Sequence, residues 1–513
     1  MDRWSSFPIT CRGGLEQSIE PLAFGTDYVG YARSLINFEP SINGGYRRIN
    51  GFNKYDTNVV PGDASQPVTG VKVAIGSVFA VRRIGTDNRI YKSTGSGWGT
   101  KLNAGARNGS VTKSRFISYS ITEPVVILTD GINPAWKHNG TVETIINGSG
   151  APATPKYAAM HLSRLILAPA SSSSTIAISA PNADTDFTAA SGAVEMNIGD
   201  IVKGLKTFRD VLYIFCANSI WKLEGDSATN FRIVPVVRSI GCLSHDSIQE
   251  VSGDVLYLAN DGIRPISATE RIGDIELASL SKAIQPYLKD NILGQFGEDN
   301  FSSCIIRSKS QYRLFVNNTN VTEDNNANFL AKFSQNANSS AIEWSLLIGF
   351  RPYCSDSEYV SDSELAVFGH PTNGYVYRQE AGNDFDGTPI NWLYATPYIT
   401  FTDSFIRKVI YKVETFAQFE GVTDMTFGLN FDYDEMNVIQ PTNIQLSSTG
   451  GSFSAYGSSL YGTATYSSSA SQQRLKTNTI GSGFVVSLVY SGQGGNPFVI
   501  KNIDIAFAVK GRR

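Results

Sequence analysis

Few residues in this sequence have the types and spacings that do chemistry. The four histidines, His138, His161, His245 and His370, stand far apart, and none belongs to an H-E-x-x-H pair that would set two imidazoles on one metal. His245 has a carboxylate beside it, Asp246, the arrangement that orients a general base. The same local sequence, CLSHDS, suits a turn histidine hydrogen-bonded near a strand end, and that is the expectation here. Carboxylates group at Asp432, Asp434 and Glu435, and again at Asp384 and Asp386. Alternate carboxylates on a strand project to one face, as a calcium site or a glycosidase pair requires. Asp432 and Asp434 alternate with Phe431 and Tyr433 and are therefore expected to face solvent; the stretch NDFDG (383–387) lacks the glutamate that closes a calcium loop. Neither a G-x-S-x-G nucleophile elbow nor a phosphate-binding G-x-x-x-x-G-K-[ST] loop is present. The sequence thus predicts no catalytic residue, no metal ligand and no bound cofactor, and reads as a chain that is not an enzyme.

The elements that would carry any site are strands. Charged residues are only 17% of the chain against ~25% in ordinary globular proteins. The 47 glycines serve tight turns, and aromatics at 11% suit pleated strands, so the composition predicts an all-β fold. The balance of 43 basic and 46 acidic residues, net charge -3, leaves no basic excess for tight phosphate binding. Cys11, Cys216, Cys242, Cys304 and Cys354 are odd in number with no C-x-x-C, which predicts reduced and mostly buried thiols in a protein assembled in a cytoplasm. The opening MDRWSSFPITCRGG has no apolar core and does not read as a secretory signal, and no apolar run approaches the ~18 residues that span a bilayer.

One pattern repeats: an apolar strand, a turn of Gly, Asn, Asp or Ser, then a strand with an aromatic or basic residue. It starts at Ser77, Pro124, Arg164, Val211, Val255, Tyr312 and Leu365, with turns near Gly85, Gly131, Ser173, Ser219, Gly262, Asn318 and Gly374. The turns lie about 42 to 57 residues apart, near the ~40–50 of propeller blades. A lone hairpin cannot bury its inner face, whereas radially packed blades bury one another. The pattern therefore predicts a β-propeller of six or seven blades over 61–387, with a β-sandwich of regular hairpins as the alternative. Within it, Leu277, Leu280, Ile284, Tyr287 and Leu288 fall on one helical face, predicting an amphipathic helix that covers the propeller edge. From 388 to 513 the alternation is longer, as in Met425, Phe427, Leu429, Phe431 and Tyr433, then Phe484 to Tyr490, then Ile503 to Val509, predicting an antiparallel β-sandwich-like platform. The Tyr-, Ser- and Gly-rich stretch Ser448 to Gln473 separates these strands and could serve as a contact loop or a surface loop. Residues 1–60 are expected to contribute docking strands.

Within those first residues, Gly13-Gly14, Asn37-Phe38-Glu39-Pro40, Gly44-Gly45-Tyr46-Arg47-Arg48 and Gly51-Phe52 resemble the opening of the tail nozzle proteins of short-tailed bacteriophages, also described as tail tubular or phage stabilisation proteins. The segment from Arg238 to Ser267 and the closing strand FVIKNIDIAFAVKGRR agree with that family. The resemblance implies a virion structural protein assembled in the host bacterial cytoplasm, a ring of usually six copies below the portal and adaptor. Such a ring extends the DNA ejection channel, contacts tail fibres or spikes, and touches genomic duplex only weakly and without sequence preference. Which residues line that channel is not given by the sequence. The alternative function is a carbohydrate- or receptor-binding propeller using Trp98, Trp136, Trp221 or Trp344 as stacking platforms; the opposing reading packs them between blades. A faint similarity of Ser93 to Thr100 to the Asp-box hairpin of sialidase propellers lacks the aspartate. Arg47, Arg48, Arg82, Arg83, Arg512 and Arg513 form basic pairs expected at solvated strand ends.

Overall fold

The computed structural model describes residues 4–20, 28–171, 173–267, 279–336, 339–401, 403–435, 438–448 and 471–510. Seven antiparallel units succeed one another over residues 68–93, 115–146, 155–197, 202–237, 249–265, 301–347 and 354–379. Their first strands, from Val68–Ala74 through Arg115–Ser120 and Pro155–His161 to Cys354–Val360, stand around one axis, and the last returns to the first. The fold is a seven-bladed β-propeller. The predicted turns at Gly85, Gly131, Ser173, Ser219, Gly262, Asn318 and Gly374 each lie where the second strand of a blade passes to the third.

Local sequence explains the layering. The second strands, such as Pro124–Thr129, Arg164–Pro169 and Asp254–Ala259, are short apolar runs buried on both faces, because neighbouring blades cover them on either side. The ring closes in two ways. Phe52–Lys54 adds a fourth strand to the seventh blade by pairing with Val376–Gln379. The innermost strand of that blade then joins the first: the Cys354 thiol donates to the Val68 carbonyl at 3.1 Å, the Val73 amide donates to Asp356 at 2.8 Å, and Lys72 pairs with Asp356 at 3.2 Å.

The sixth blade does not end at its edge. Ser339–Leu347 pairs in parallel with Ser34–Ile36, and the sheet continues through Asn391–Ala395, Val486–Gln493 and Asp424–Phe431 to Ile444–Ser447, nine strands in all. A six-stranded sheet faces this extension. In it Phe498–Lys510 lies between Arg407–Phe419 on one side and Ser5–Thr10 with Tyr46–Arg48 on the other, and Ser471–Gly483 forms an edge. Phe427, Tyr490, Tyr394, Phe498 and Ile503 fill the space between the sheets. Propeller and sandwich thus share one continuous sheet.

Three expectations are corrected. The alternating strand of 425–433 stops at Phe431; Asp432, Tyr433 and Asp434 follow with φ of 50°, 62° and 60°, a left-handed turn. Phe484 precedes its strand rather than belonging to it, and is 40% exposed. The expected helix is described only from Gln285–Asn291, after a short turn at Lys282–Ile284; Ile284 and Leu288 are buried against the sixth blade and the N-terminal segment, and Leu277 lies outside the described residues.

Candidate functional site

The first strands of the blades enclose a cavity of about 390 Å³ on the propeller axis. Its polar lining includes Lys72, Lys206, Gln249, Ser303, Arg307 and Asp356. At one end, residues from several blades lock together. Arg115 donates to Asp246 at 2.8 Å and to Asp299 at 2.7 Å, while Glu298 accepts from Lys156 and, at 2.8 Å, from Lys203. Lys113 gives its ammonium protons to the carbonyls of Asp299, Phe301 and Tyr353. Burial alone would raise the Asp299 carboxyl, but the Arg115 charge and its hydrogen bond outweigh that and hold it at about 2. Asp246 is likewise pushed up by burial and brought below its ordinary value by Arg115 and Lys113. Each carboxylate here is paired and Lys113 is held by three carbonyls, which makes the cluster a clasp; removing one partner from such a buried pair costs ~3–5 kcal/mol. At ~30 Å³ per water the cavity has room for on the order of a dozen waters. The cavity is small beside a DNA duplex, whose major groove alone is ~12 Å wide.

His245 sits in the 3-10 turn His245–Ser247 beside this clasp. Its ring lies 5.1 Å from that of Tyr157, and Nδ1 finds no hydrogen-bond partner, which corrects the expected hydrogen-bonded turn histidine. Burial lowers its pKa to about 4. Asp246, the neighbour that suggested an oriented base, is spent on Arg115 instead. The other expected chemistry is also absorbed into structure. Asp384 accepts from the Gly387 amide at 2.8 Å and Asp386 pairs with Lys54 at 3.3 Å, so NDFDG is a hairpin turn. Asp432 accepts from the amides of Phe484 and Val485 at 2.7 and 3.1 Å. Among the described residues no group of three metal-ligating side chains converges. The five thiols are free and buried, and burial raises each to about 12.

Of the tryptophans considered as sugar platforms, Trp136 and Trp344 are fully buried. Trp98 and Trp221 are half-buried; Trp98 donates to the Asn58 carbonyl at 3.0 Å, and Arg238 lies over Trp221 at 5.6 Å. Trp4, which sequence reasoning passed over, is 59% exposed and stacks flat on Tyr411 at 5.1 Å.

Arg48 and Arg82 are not at solvated strand ends. Arg48 is fully buried and donates to the carbonyls of Asn383 and Gly495; burial lowers its pKa to about 10. Arg82, 3% exposed, donates to Val60, Asp63 and Gln66 carbonyls. Both satisfy loop carbonyls that the ladders leave unpaired, and a guanidinium with five donors does this better than water can in a buried site. Arg512 and Arg513 lie outside the described residues.

The N-terminal motif residues meet where propeller and sandwich join. Asn37, at φ 57°, donates to Ile348 and Asn391 carbonyls and accepts from the Ile348 amide. Phe38 packs edge-on against Trp392 and Phe498. Glu39, buried, takes Arg47 at 3.1 Å and Lys309 at 2.7 Å, and Lys309 and Arg313 both reach Glu380. Tyr46 donates to the Gly30 carbonyl and accepts from the Gly14 amide. At Gly51 any side chain would collide, since a Cβ would lie 1.8 Å from the Asp384 carbonyl oxygen.

Exposed apolar side chains collect at one end of the sandwich. Ile439 is 93% exposed, Phe405 77% and Val509 52%, beside Phe484 and Tyr433. The three consecutive left-handed residues at that end are held by Asp432 and by Tyr433 against Tyr398 at 4.7 Å. For residues other than glycine this conformation costs ~1–2 kcal/mol each.

No family model and no curated protein matches the chain. Among solved structures, the chain is similar to an ancestral GH74 enzyme at 11% identity, covering 69% of this chain and 51% of that one, with a TM-score of 0.43. An extracellular domain from B. thetaiotaomicron aligns at 9% identity over 64% of this chain and 40% of its own, with a TM-score of 0.39. A computationally designed protein, Ika8, aligns at 9% over 64% of this chain and 99% of its own, TM-score 0.34. The chain spans about half of the first of these and 40% of the second.

Proposed function

We propose that this chain is a structural, non-enzymatic protein of a short-tailed phage tail, whose copies form a ring, sixfold in the family it resembles, that extends the ejection channel below the portal and adaptor. One observation carries the reading. The residues in which the chain resembles tail nozzle proteins, Asn37 to Pro40, Tyr46 to Arg48 and Gly51, fasten propeller to sandwich instead of forming a ligand site. Such a junction suits a part that transmits force without bending. The clasped axial cavity leaves the duplex to pass between copies, at the centre of the ring. The slight negative net charge suits sliding, because each neutralised phosphate adds affinity and drag.

Immunogold labelling of short-tailed particles that carry the chain tests this. Label confined to the tail, below the portal, is the expected result; particles that lack the chain, or carry it on the capsid surface, contradict it. The purified protein should also bind duplex weakly and with steep salt dependence, and nanomolar affinity at physiological salt would count against a conduit.

A further inference from the structure

We infer that the axial cavity of the propeller binds a small tetrahedral oxyanion, phosphate or a phosphomonoester, on the ammonium of Lys206. The inference is independent of the ring reading.

The cavity, about 390 Å³, is walled by the innermost strands of all seven blades or by the turns that lead into them. Its lining carries five cations, Lys72, Lys113, Arg115, Lys206 and Arg307, against three carboxylates, Asp246, Asp356 and Glu358, an excess of two. Most of these groups are committed. Arg115 takes Asp246 and also Asp299, Lys72 takes Asp356, and Lys113 is capped by carbonyls. Arg307 donates through Nη1 to the Ser357 carbonyl at 2.8 Å and lies 3.9 Å from Glu364. Glu358 accepts from the Tyr359 amide at 3.2 Å. Lys206 is left over. Among the described residues its ammonium has neither a hydrogen bond nor an ion pair, and Glu250 and Asp356 favour its charge only from beyond contact distance.

That sets Lys206 apart from comparable lysines. Among the described residues burial lowers the pKa of four: Lys113, Lys206, Lys332 and Lys408. Lys332 donates to the Pro40 carbonyl at 2.8 Å, Lys408 to the carbonyls of Asp403 and Phe484, and Lys113 to three carbonyls. Lys206 alone of the four has no acceptor, and the charges of Lys72 and Arg307 in the same wall lower it further. A desolvated ammonium without an acceptor is costly, and an anion in the cavity removes that cost.

The wall also selects the kind of anion. Lys206 comes from the fourth blade, Arg307 from the sixth and Lys72 from the first, with Gln249 of the fifth between them in the lining. Donors arriving from several blades suit an acceptor whose oxygens point in four directions better than a planar carboxylate. Ammonium and guanidinium groups together are the usual partners of phosphate oxygens.

The test uses the full-length chain in buffer free of phosphate and sulfate. Isothermal titration calorimetry with inorganic phosphate is expected to show one site per chain, and phosphate should raise the melting temperature. Hydrogen exchange should slow in the innermost strands, Val202–Phe208 and Phe301–Ile306 among them. Lys206→Met should weaken phosphate binding about tenfold or more, since a hydrogen bond to a charged group is lost. Its melting temperature without phosphate should be no lower than that of wild type. Lys501→Met, at a half-buried lysine of the sandwich, should leave binding unchanged. Methyl phosphate separates the two sources: binding as tight as that of phosphate assigns the site to phosphomonoesters, and weaker binding assigns it to the free anion. Absence of phosphate binding, undiminished binding by Lys206→Met, or protection lying outside the propeller axis overturns the inference. The exchange pattern is read on wild type, so it decides the matter whether or not Lys206→Met folds.

Discussion

The propeller and the sandwich are built on opposite principles. Each blade is built around one stretch of about 17 to 47 residues, with Phe52–Lys54 added to the seventh from far away, so most of its contacts are local and its turns recur. The sandwich is assembled from both ends of the chain: Ser5–Thr10 pairs with Phe498–Lys510, and Ser34–Ile36 lies beside Asn391–Ala395. Such pairings close very long loops before they gain any contact. The difference teaches where damage spreads. A lesion inside a blade should stay near it, as in other repeat architectures, whereas one at the junction should release strands that hold both halves.

The largest expected contrast is between two buried arginines. Arg48→Met strands the carbonyls of Asn383 and Gly495 at the junction, and Arg82→Met strands those of Val60 and Gln66 beside the first blade, while that of Asp63 keeps the Gln66 amide. Each should cost about 3 kcal/mol in denaturant unfolding. Hydrogen exchange should separate them: opening confined to residues 60–93 and the adjoining seventh blade for Arg82, but extending through both sheets of the sandwich for Arg48. Equal spread from both sites would break the comparison.

Acid sharpens it further, because all four histidines lie between residues 138 and 370, in the propeller. His245, His138 and His161 are lowered by burial, His245 to about 4. A histidine whose folded value is depressed takes up a proton on unfolding. Its contribution is therefore complete above ~6.5 and is lost as pH falls from ~6.5 towards 4. For His245 the loss is on the order of 3 kcal/mol at ~1.4 kcal/mol per unit. His245→Gln should flatten stability across this window when denaturant midpoints are measured at pH 7 and pH 4. Below pH 4 the depressed Asp299 and Asp246 add a second loss in either protein.

The smallest effect is expected at the propeller rim. Trp98→Ala removes a half-buried ring and its bond to the Asn58 carbonyl, and should cost about 1–2 kcal/mol without altering ring assembly. Lost assembly in this variant, by mass photometry, would place a subunit contact at the propeller rim.

What could be read from the sequence follows the same division. The blade turns were legible because each blade repeats one local problem, an apolar middle strand followed by a tight turn, as at Gly131 and Gly374. Blade count stayed open between six and seven because Phe52–Lys54, the strand that completes the ring, lies far from its partner Val376–Gln379. The junction roles of Glu39 and Arg48 were invisible, since charge buried against loop carbonyls looks like any basic strand end until the loops are in place. Asp432 to Asp434 looked like strand because alternation cannot register the sign of φ. The stretch from Ser448 to Gln473, open between a contact loop and a surface loop, lies almost wholly outside the described residues. Trp4 was passed over because its partner Tyr411 is some four hundred residues away.

Electron microscopy of the purified chain, and of tails that contain it, addresses the central proposal most directly. A ring of copies, sixfold by resemblance, with a duplex-wide opening at its centre and every propeller axis closed, is the expected image. Duplex density running along a propeller axis, or isolated copies at the periphery of the tail with no central opening, would contradict it.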